Sequence, residues 1–400
     1  MRLLFISQLF DPEYSIKGLG FLGELQAKGV EIDVVTTFPN YPTGKVFAGY
    51  KVRPWQIEYQ QGIRVIRVYS YISHSKSKIA RALSYLSFMV SAFMACLLVR
   101  RPDVIYAYHP QLTTGFIAIF FKWLRCTPFI TDVQDLWPDA LAATGLHRTG
   151  RLYRLLDDWC GFVYRHAAHI VVLSHGYKAA LIARGIESGK VTVVYNWHAY
   201  DAVVSDVVAD SLLPRGYQYQ FMYAGNLGTA QSLKPVIDAF SRLQNDSVSL
   251  VMIGAGVEQD ELARYTRSIA AENVFFLGYV PSGKIRAYLA QADVLVVHLR
   301  DEDLFKITIP SKIQAYLSSG KPILMAVGGE ANQIVSNAGA GETALPENPD
   351  SICDAARRLL LDRERWALMG ANGRACYEKD MARHIGVEKI MGVLASLGAR

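Results

Sequence analysis

The sequence predicts an α/β protein made of two open, Rossmann-like domains with mostly parallel sheets. Short β-branched or aromatic runs alternate with helical stretches along both halves of the 400-residue chain, as in parallel sheets that helices cover on both faces. A chain of this length is also long for a single hydrophobic core. Hydrophobic residues make up 51% of it and charged residues 20%, a composition that excludes a disordered protein.

The predicted strands fall into two series. The first domain, residues 1–198, is predicted to hold RLLFIS, EIDVVTTF, IRVIRVYS, DVIYAYH, PFITDVQ, HIVVLS and VTVVYN. The second, residues 218–374, is predicted to hold QFMYAGN, SLVMIGAG, VFFLGY, DVLVVHL, PILMAV and ETALP. The segment between His198 and Gln218 lacks a periodic apolar pattern and is interpreted as the link. The helical stretch at about residues 375–400 is a candidate to pack back on the first domain.

Charge and cysteine content exclude several classes of protein. The net charge of +6 is modest and no run of Lys or Arg stands out, so nucleic-acid binding is not predicted. Five cysteines lie far apart without a CxxC pair, which indicates neither disulfides nor a zinc site and fits a reducing cytoplasm. The start MRLLFISQLFDPEY has too short an apolar run for a signal peptide and is predicted to be a buried strand.

One segment raises the question of membrane contact. Residues 82–99 carry no charge and lie between Arg81 and Arg100, and their length reaches that of a spanning helix. Strands of one predicted sheet precede and follow the segment, so a membrane span is not expected. Two interpretations stay open: a buried helix packed on the sheet, or a helix partly sunk into the membrane interface. Lys76 and Lys78 upstream, and the basic and aromatic stretch TGKVFAGYKVRPWQIEY, favour the second.

Candidate site residues are expected where predicted strands end, because ligands of open parallel sheets bind outside the carboxyl ends of the strands. The two domains are therefore expected to face each other across a cleft, with one substrate on each wall. In the first domain, Gly18 and Gly20 lie near the turn into the first helix, where glycine lets backbone approach a ligand. Ten residues separate Ser7 from Gly18, so a mobile cleft loop is as good an interpretation as a dinucleotide fingerprint.

Polar side chains follow the next strands of the first domain. His109 ends the fourth predicted strand, and Asp132, Asp135 and Trp137 lie in or after the fifth. A histidine at that point should face the cleft, and the tryptophan ring could stack on a sugar. The structural alternatives are a histidine satisfied within the core and carboxylates that only cap the following helix.

In the second domain, two segments could hold an anion. The turn from Gly225 to Gln231 follows a strand directly, and its backbone N–H groups could cradle phosphate. Further along, Pro310 suits the first turn of a helix. Ser311 and Lys312 follow it, where the free N–H groups of a helix start attract an anion.

A run of three acids raises the question of a metal. Asp301-Glu302-Asp303 has the DxD spacing that some transferases use to bind a metal ion. Three consecutive acids on a loop are more often simply solvated, so no metal site and no other cofactor is predicted.

Several sequence blocks resemble a known family. YAGNLGTAQSL, LFKITIPSKIQAYLSSGKPIL and AVGGEANQIV are similar to blocks of the family 4 retaining glycosyltransferases, which have the GT-B fold. DLWPDALAATG and FPNYPTGKVFAGYK resemble the O-antigen and capsule branch, which includes the N-acetyl-L-fucosamine transferases. The resemblance covers nearly the whole chain.

The resemblance implies that a sugar, of the N-acetylated amino or deoxy kind, moves from a UDP-sugar on the second domain to an acceptor on the first. That acceptor would be a polyprenyl-diphosphate-linked saccharide, in O-antigen, capsule or exopolysaccharide biosynthesis. Transfer would retain the anomeric configuration without a metal. The enzyme would be cytoplasmic, on the inner face of the cell membrane.

Together with the strand-end positions, the resemblance gives a set of expected site residues. The catalytic candidates are His109, Asp135 and Glu330. The donor-binding candidates are Gly18, Gly20, Gly225, Asn226, Gln231, Lys306, Ser311 and Lys312. The acceptor-binding candidates are Glu13, Tyr41, Asp132 and Trp137.

The sequence departs from the family pattern at four of its positions. Ile307 and Ala315 stand where many members carry two glutamates, and Gln314 is rotated by about 100° around the helix from the second of them. Asn226 and Gln231 stand where many members have basic residues. Two alternatives therefore stay open: a nucleotide-sugar 2-epimerase of the same fold, and a sugar-nucleotide-binding subunit without activity.

Overall fold

The structure is a computed structural model that describes residues 1–41, 44–73, 78–142, 146–198, 213–244 and 247–398. Lys76 and most of the predicted link between the domains lie outside these ranges. The chain divides into two compact units, Met1–Tyr195 with Arg383–Arg400, and Asn196–Ala382. Each unit contains a largely parallel sheet, as predicted.

The first domain is built on an eight-stranded sheet with the order β3-β4-β2-β1-β5-β6-β7-β8. All neighbouring strands are parallel except β3 and β4. The five residues of β6 and all but the first of β1 are buried, as expected for a sheet covered on both faces. The strands are β1 (Arg2–Ser7), β2 (Glu31–Thr37), β3 (Trp55–Gln60), β4 (Ile63–Val68), β5 (Val104–His109), β6 (Phe129–Val133), β7 (His169–Val172) and β8 (Val191–Val193).

The edge strand β3 was not predicted. It forms an antiparallel hairpin with β4 through Gln61 and Gly62, which both have positive φ, as the favoured two-residue hairpin turn requires. Its residues WQIEYQ alternate between exposed and half-buried. This alternation is a strand signal, but the segment was interpreted only as a basic and aromatic stretch.

Helices cover the first sheet, and the last helix of the chain is one of them. Arg383 at its start forms an ion pair with Glu24 of the first helix. Its apolar side chains Val387, Ile390 and Leu394 are buried. The helices of this domain are α1 (Leu19–Ala27), α2 (Lys78–Leu98), α3 (Gln111–Arg125), α4 (Asp139–Ala142), α5 (Arg151–His166), α6 (His175–Ala183) and α15 (Arg383–Gly398).

The uncharged segment 82–99 forms most of α2, which packs against α3, β2 and β4. Phe88, Ala92 and Cys96 on its inner face are buried. The guanidinium of Arg125 donates to the carbonyl oxygens of Leu97 (2.7 Å) and Val99 (3.0 Å) at the end of the helix. Within the described ranges, no helix combines the length and apolar character needed to cross a membrane.

The second domain is built on a six-stranded parallel sheet with the order β11-β10-β9-β12-β13-β14. All six predicted strands are present, and every residue of β10 is buried. The strands are β9 (Tyr219–Ala224), β10 (Val248–Ile253), β11 (Val274–Gly278), β12 (Val294–His298), β13 (Ile323–Ala326) and β14 (Gly341–Thr343). The helices are α7 (Lys234–Ser241), α8 (Gln259–Ser268), α9 (Ser282–Gln291), α10 (Asp303–Lys306), α11 (Lys312–Ser319), α12 (Glu330–Ala338), α13 (Pro349–Leu361) and α14 (Trp366–Cys376).

Candidate functional site

In the second domain, the turn after β9 is held by backbone contacts with the loop after β10. The N–H of Gly225 donates to the carbonyl oxygen of Ile253 (2.9 Å), and that of Leu227 donates to Ala255 (3.0 Å). A Cβ atom on Gly254 would overlap the carbonyl oxygen of Gly225. The two loops can lie this close only because glycine occupies position 254. The IGAG segment at residues 253–256 therefore has a packing function.

Lys312 points into this turn from the first residue of α11. Its Nζ lies 3.6 Å from the centre of the Tyr223 ring and 3.0 Å from the point where a Cβ of Gly225 would stand. The Nζ is buried and has no hydrogen-bond partner among the described residues. Burial holds the pKa of this amine well below its usual range, because desolvation disfavours the charged form. Among the described residues, the face of the Tyr223 ring is the group that partly compensates the charge of this amine.

The two amides predicted to face phosphate instead bind each other. The side-chain oxygen of Gln231 accepts hydrogen bonds from the Asn226 amide (3.1 Å) and from the Gly228 N–H (3.2 Å). The hydroxyl of Tyr223 donates to the carbonyl oxygen of Asn226 (2.7 Å). These bonds fix the shape of the turn, so the first role of both amides is structural.

A buried histidine outside the predicted set of site residues supports the same turn. His298, at the end of β12, has its Nδ1 2.7 Å from the carbonyl oxygen of Gln231, and its Nε2 accepts from the Glu347 N–H at 2.9 Å. This pattern requires the neutral ring with the proton on Nδ1, and burial lowers the pKa of His298. Glu347 in turn accepts from Ser232 (2.7 Å) and from the Asp301 N–H (2.9 Å). The network ties the turn to the end of β12 and to the segment that contains Glu347.

The remaining donor-side candidates surround the start of α11 and α12. Ser311 precedes α11 as its N-cap residue without a side-chain cap bond, so the prediction that Pro310 opens the helix is wrong by two residues. Glu330 is half-buried as the first residue of α12. Gly320 ends α11 in the left-handed conformation.

Lys306 and Gln314 differ in their surroundings. The exposed Lys306 ammonium lies 3.2 Å from the Asp301 carboxylate and 3.5 Å from that of Asp303, so these acids already partly balance its charge. Gln314 is buried and its Oε1 has no partner among the described residues. In the described part of the chain, no group of three His, Cys, Asp or Glu side chains is arranged to hold a metal ion.

In the first domain, the carboxyl ends of β5 and β6 bring several predicted residues together. His109, Asp132, Asp135 and Trp137 line one small recess. Burial lowers the pKa of His109 to about 4, so the ring is neutral at neutral pH. The Asp135 residue is exposed to solvent, yet partial desolvation of its carboxyl group raises the pKa of that group.

Asp132 is a correction to the predicted acceptor-binding set. The residue is fully buried, and one carboxylate oxygen accepts from both the Lys17 ammonium and the Tyr106 hydroxyl. The other oxygen accepts from the Gln134 amide at 2.6 Å. Although Asp132 lines the recess, both of its carboxylate oxygens are therefore engaged inside the domain, and its ion pair with Lys17 gives it a structural role.

Glu13 is also engaged by its own domain. It is 3% exposed, and its Oε1 accepts from the backbone N–H groups of Asn40 and Tyr41, the latter at 2.6 Å. Burial raises the pKa of this carboxyl, opposed by these hydrogen bonds. Glu13 thus fixes the backbone that presents the exposed ring of Tyr41.

The glycines of the predicted cleft loop have packing reasons within the first domain. A Cβ on Gly18 would overlap the carboxylate of Asp11, which accepts from the Leu19 N–H (2.7 Å) at the start of α1. Gly20 is exposed, and a Cβ there would lie 3.0 Å from the guanidinium of Arg383. The proposal that this loop meets a donor remains a prediction.

Acid should destabilise the first domain through His109. Its pKa of about 4 lies below the ordinary 6.5, so the unfolded chain takes up the proton first as the pH falls. The stability contributed by neutral His109 is full above the unfolded pKa and is lost as the pH falls toward the folded one, at up to about 1.4 kcal/mol per pH unit. Thermal unfolding at neutral and mildly acidic pH should show a larger loss of Tm for the wild type than for His109→Gln. Equal losses would assign the acid sensitivity to other groups.

Two family models match the chain in tandem. Residues 19–197 match the glycosyl transferase 4-like domain, and residues 218–362 match the glycosyl transferases group 1 domain. Together they account for most of the sequence.

Individual relatives agree over nearly the full length. The chain is 24% identical to WcaI of Escherichia coli K12, described as a colanic acid biosynthesis glycosyl transferase, over 90% of this chain and 92% of that protein. Among solved structures, sucrose-phosphate synthase from Thermosynechococcus elongatus superposes with a TM-score of 0.73 at 16% identity, covering 100% of this chain and 99% of the other. HepE of Anabaena in complex with UDP-glucose gives 0.70 at 17% identity, covering 99% and 100%. At these identities the solved structures establish the fold.

Proposed function

The chain is a two-domain glycosyltransferase of the GT-B fold, and on that premise we propose that it transfers a sugar from a UDP-sugar to a lipid-linked saccharide with retention of configuration. The second domain would hold the donor and the first the acceptor. The narrower resemblance to N-acetyl-L-fucosamine transferases belongs to this proposal, with the DLWPDALAATG and FPNYPTGKVFAGYK blocks as its support.

The observation that carries the donor assignment is the unpaired Nζ of Lys312. A buried amine with no hydrogen-bond partner among the described residues is costly in the free protein. A diphosphate placed beside Gly225 would supply both a counter-charge and hydrogen-bond acceptors, and would meet the start of α11 as well. We therefore propose that an anion completes this site.

Relatives support the chemical class of both substrates. The HepE structures contain UDP and UDP-glucose, which favours a uridine diphosphate donor here. The name of WcaI, with its place in colanic acid biosynthesis, favours an acceptor in O-antigen, capsule or exopolysaccharide assembly. We propose a polyprenyl-diphosphate-linked acceptor and a location on the cytoplasmic face of the cell membrane.

The proposed reaction breaks the bond between the anomeric carbon and the β-phosphate oxygen and forms a bond to the acceptor oxygen on the same sugar face. The acceptor proton passes to the leaving phosphate, so no separate strong base is needed. Protonated Lys312 would stabilise the negative charge that develops on the diphosphate. Neutral His109 and Asp135 are the proposed groups of the first domain that orient the acceptor, and Glu330 is the proposed group of the second domain beside the donor sugar. No metal enters this scheme.

A substrate panel tests the proposal. Purified protein is incubated with several UDP-sugars, with and without a polyprenyl-diphosphate saccharide, and products are identified by mass. We expect a product larger by one sugar only when donor and acceptor are both present. Interconversion of sugars without acceptor would indicate a 2-epimerase, and binding without turnover would indicate an inactive subunit; either result overturns the proposed transfer.

Donor binding should take up a proton at Lys312. The amine has a lowered pKa in the free protein, and a neighbouring diphosphate favours its charged form, which raises the pKa again. Calorimetric titration of UDP in buffers of different ionisation enthalpy should therefore show proton uptake at mildly alkaline pH. Lys312→Met should abolish that uptake, and an unchanged uptake in this variant would place the proton elsewhere.

A further inference from the structure

Helix α2 is apolar on two opposite faces, and only one of them packs on its own domain. Phe88, Ala92 and Cys96 are buried. The opposite face carries six large apolar side chains that are between 48% and 73% exposed. They are spaced three or four residues apart and so form one continuous stripe about 28 Å long. The α2 stripe consists of Ile79, Leu83, Leu86, Val90, Met94 and Leu98.

A groove adjoins the second half of the α2 stripe. It has a volume of about 680 Å³ and lies between α2 and the β3–β4 hairpin. Val90 and Met94 line it from the helix, and Trp55 and Tyr69 line it from the hairpin side. The Trp55 ring is itself 64% exposed. A contiguous apolar surface of this size is rare on soluble proteins and marks an interaction site.

Exposed basic residues flank the two elements that line the groove. Lys51 and Arg53 precede β3 and are exposed, and Arg53 lines the groove. Arg100 and Arg101 follow α2 and are also exposed. Residues 42–57 contain no acidic residue. Apolar side chains between basic and aromatic residues are complementary to the acyl chains and anionic headgroups of a bilayer surface.

We infer that the α2 stripe and the adjoining groove dock the first domain on an anionic phospholipid bilayer, with the apolar side chains in the interface and the basic residues at the headgroups. The inference gives the proposed membrane location a defined surface. The function of the docking surface rests on the proposed lipid-linked acceptor. The evidence for the surface does not, because the α2 stripe and the basic residues belong to the first domain alone.

Vesicle flotation tests the inference without nucleotide or acceptor. The wild type should float with vesicles of phosphatidylcholine and phosphatidylglycerol. Its binding to vesicles of pure phosphatidylcholine should be weaker by about tenfold or more. Leu86→Glu and Val90→Glu should each weaken binding about tenfold or more, and Lys51→Ala with Arg53→Ala should remove most of the preference for the anionic lipid. Leu361→Glu is the matched control, since Leu361 is 87% exposed on α13 of the second domain, and should float like the wild type.

Two outcomes would overturn the inference. One is failure of the folded wild type to float with anionic vesicles. The other is a stable dimer that Leu86→Glu dissociates, which would assign the stripe to a second copy of the chain. Transfer to a short water-soluble acceptor should be unchanged in Leu86→Glu, so this assay separates failure of the docking surface from failure of the proposed transferase activity.

Discussion

Lys312→Ala is expected to reduce sugar transfer by about 100-fold or more while the protein stays folded. The amine is the buried group that a donor diphosphate would meet, and loss of one preorganised charge-stabilising donor commonly costs 10²–10³ in turnover, on the order of 3–4 kcal/mol. The same change removes a buried amine that has no hydrogen-bond partner among the described residues. The free energy of unfolding of the free protein should therefore stay constant or rise by about 1 kcal/mol.

This combination of lost activity and retained stability separates a functional lysine from a structural one. Lys312→Met is a second variant that keeps the apolar stem over the Tyr223 ring. Lys284→Ala is the matched control, since Lys284 is exposed on α9 of the same domain, and its turnover should equal that of the wild type. Near-normal turnover of Lys312→Ala at saturating donor would remove Lys312 from the donor site.

Asp132→Ala is expected to have the largest effect on stability. It leaves the Lys17 ammonium buried beside β6 without its carboxylate, although both side chains are fully buried in the native protein. Breaking a buried pair from one side typically costs about 3–5 kcal/mol. Denaturant unfolding followed by fluorescence should show a lower midpoint, or the variant should fail to accumulate as folded protein.

A double-mutant cycle makes this prediction specific. Lys17→Met and Asp132→Leu are made singly and together. The double variant removes both charges and fills the volume, so it should be more stable than Asp132→Leu alone by about 2 kcal/mol or more. If the single changes instead added up without coupling, the two residues would not act as a pair.

Most of the fold follows from the sequence because parallel sheets buried on both faces need nearly continuous apolar strands. The runs LLFI, VIYA and LVMI are such strands, and each is buried. The edge strand β3 lacks that signal, since only one side of an edge hairpin is covered. Its polar alternation and the Gln61-Gly62 turn were the available evidence. Strand order and the packing of α15 depend on long-range contacts that no local pattern encodes.

The site was only partly predictable for a related reason. A helix start with Ser311 and Lys312 is visible in the sequence, and the structure places Lys312 in the predicted phosphate turn. The sequence does not show whether a polar side chain is already bound by a partner within its own domain. Asp132 was therefore assigned to a ligand, although Lys17, far away in the chain, holds it.

His298 shows the limit of strand-end reasoning. It ends DVLVVHL at the same point where His109 ends DVIYAYH, so the sequence offered the same signal in both domains. The structure distinguishes them. His298 is wholly buried and supports a turn, whereas His109 lines a recess at the carboxyl edge of its sheet.

The central claim is that a UDP-sugar diphosphate completes the site at Lys312. It is tested most directly by an experimental structure of the protein with UDP, in which the separation of the Lys312 Nζ and the nearest phosphate oxygen is measured. The account predicts a charge-assisted hydrogen bond of about 2.7–3.2 Å, with the diphosphate against the Gly225 turn. UDP bound with its phosphates away from this turn, and Lys312 still unpaired over the Tyr223 ring, would contradict it.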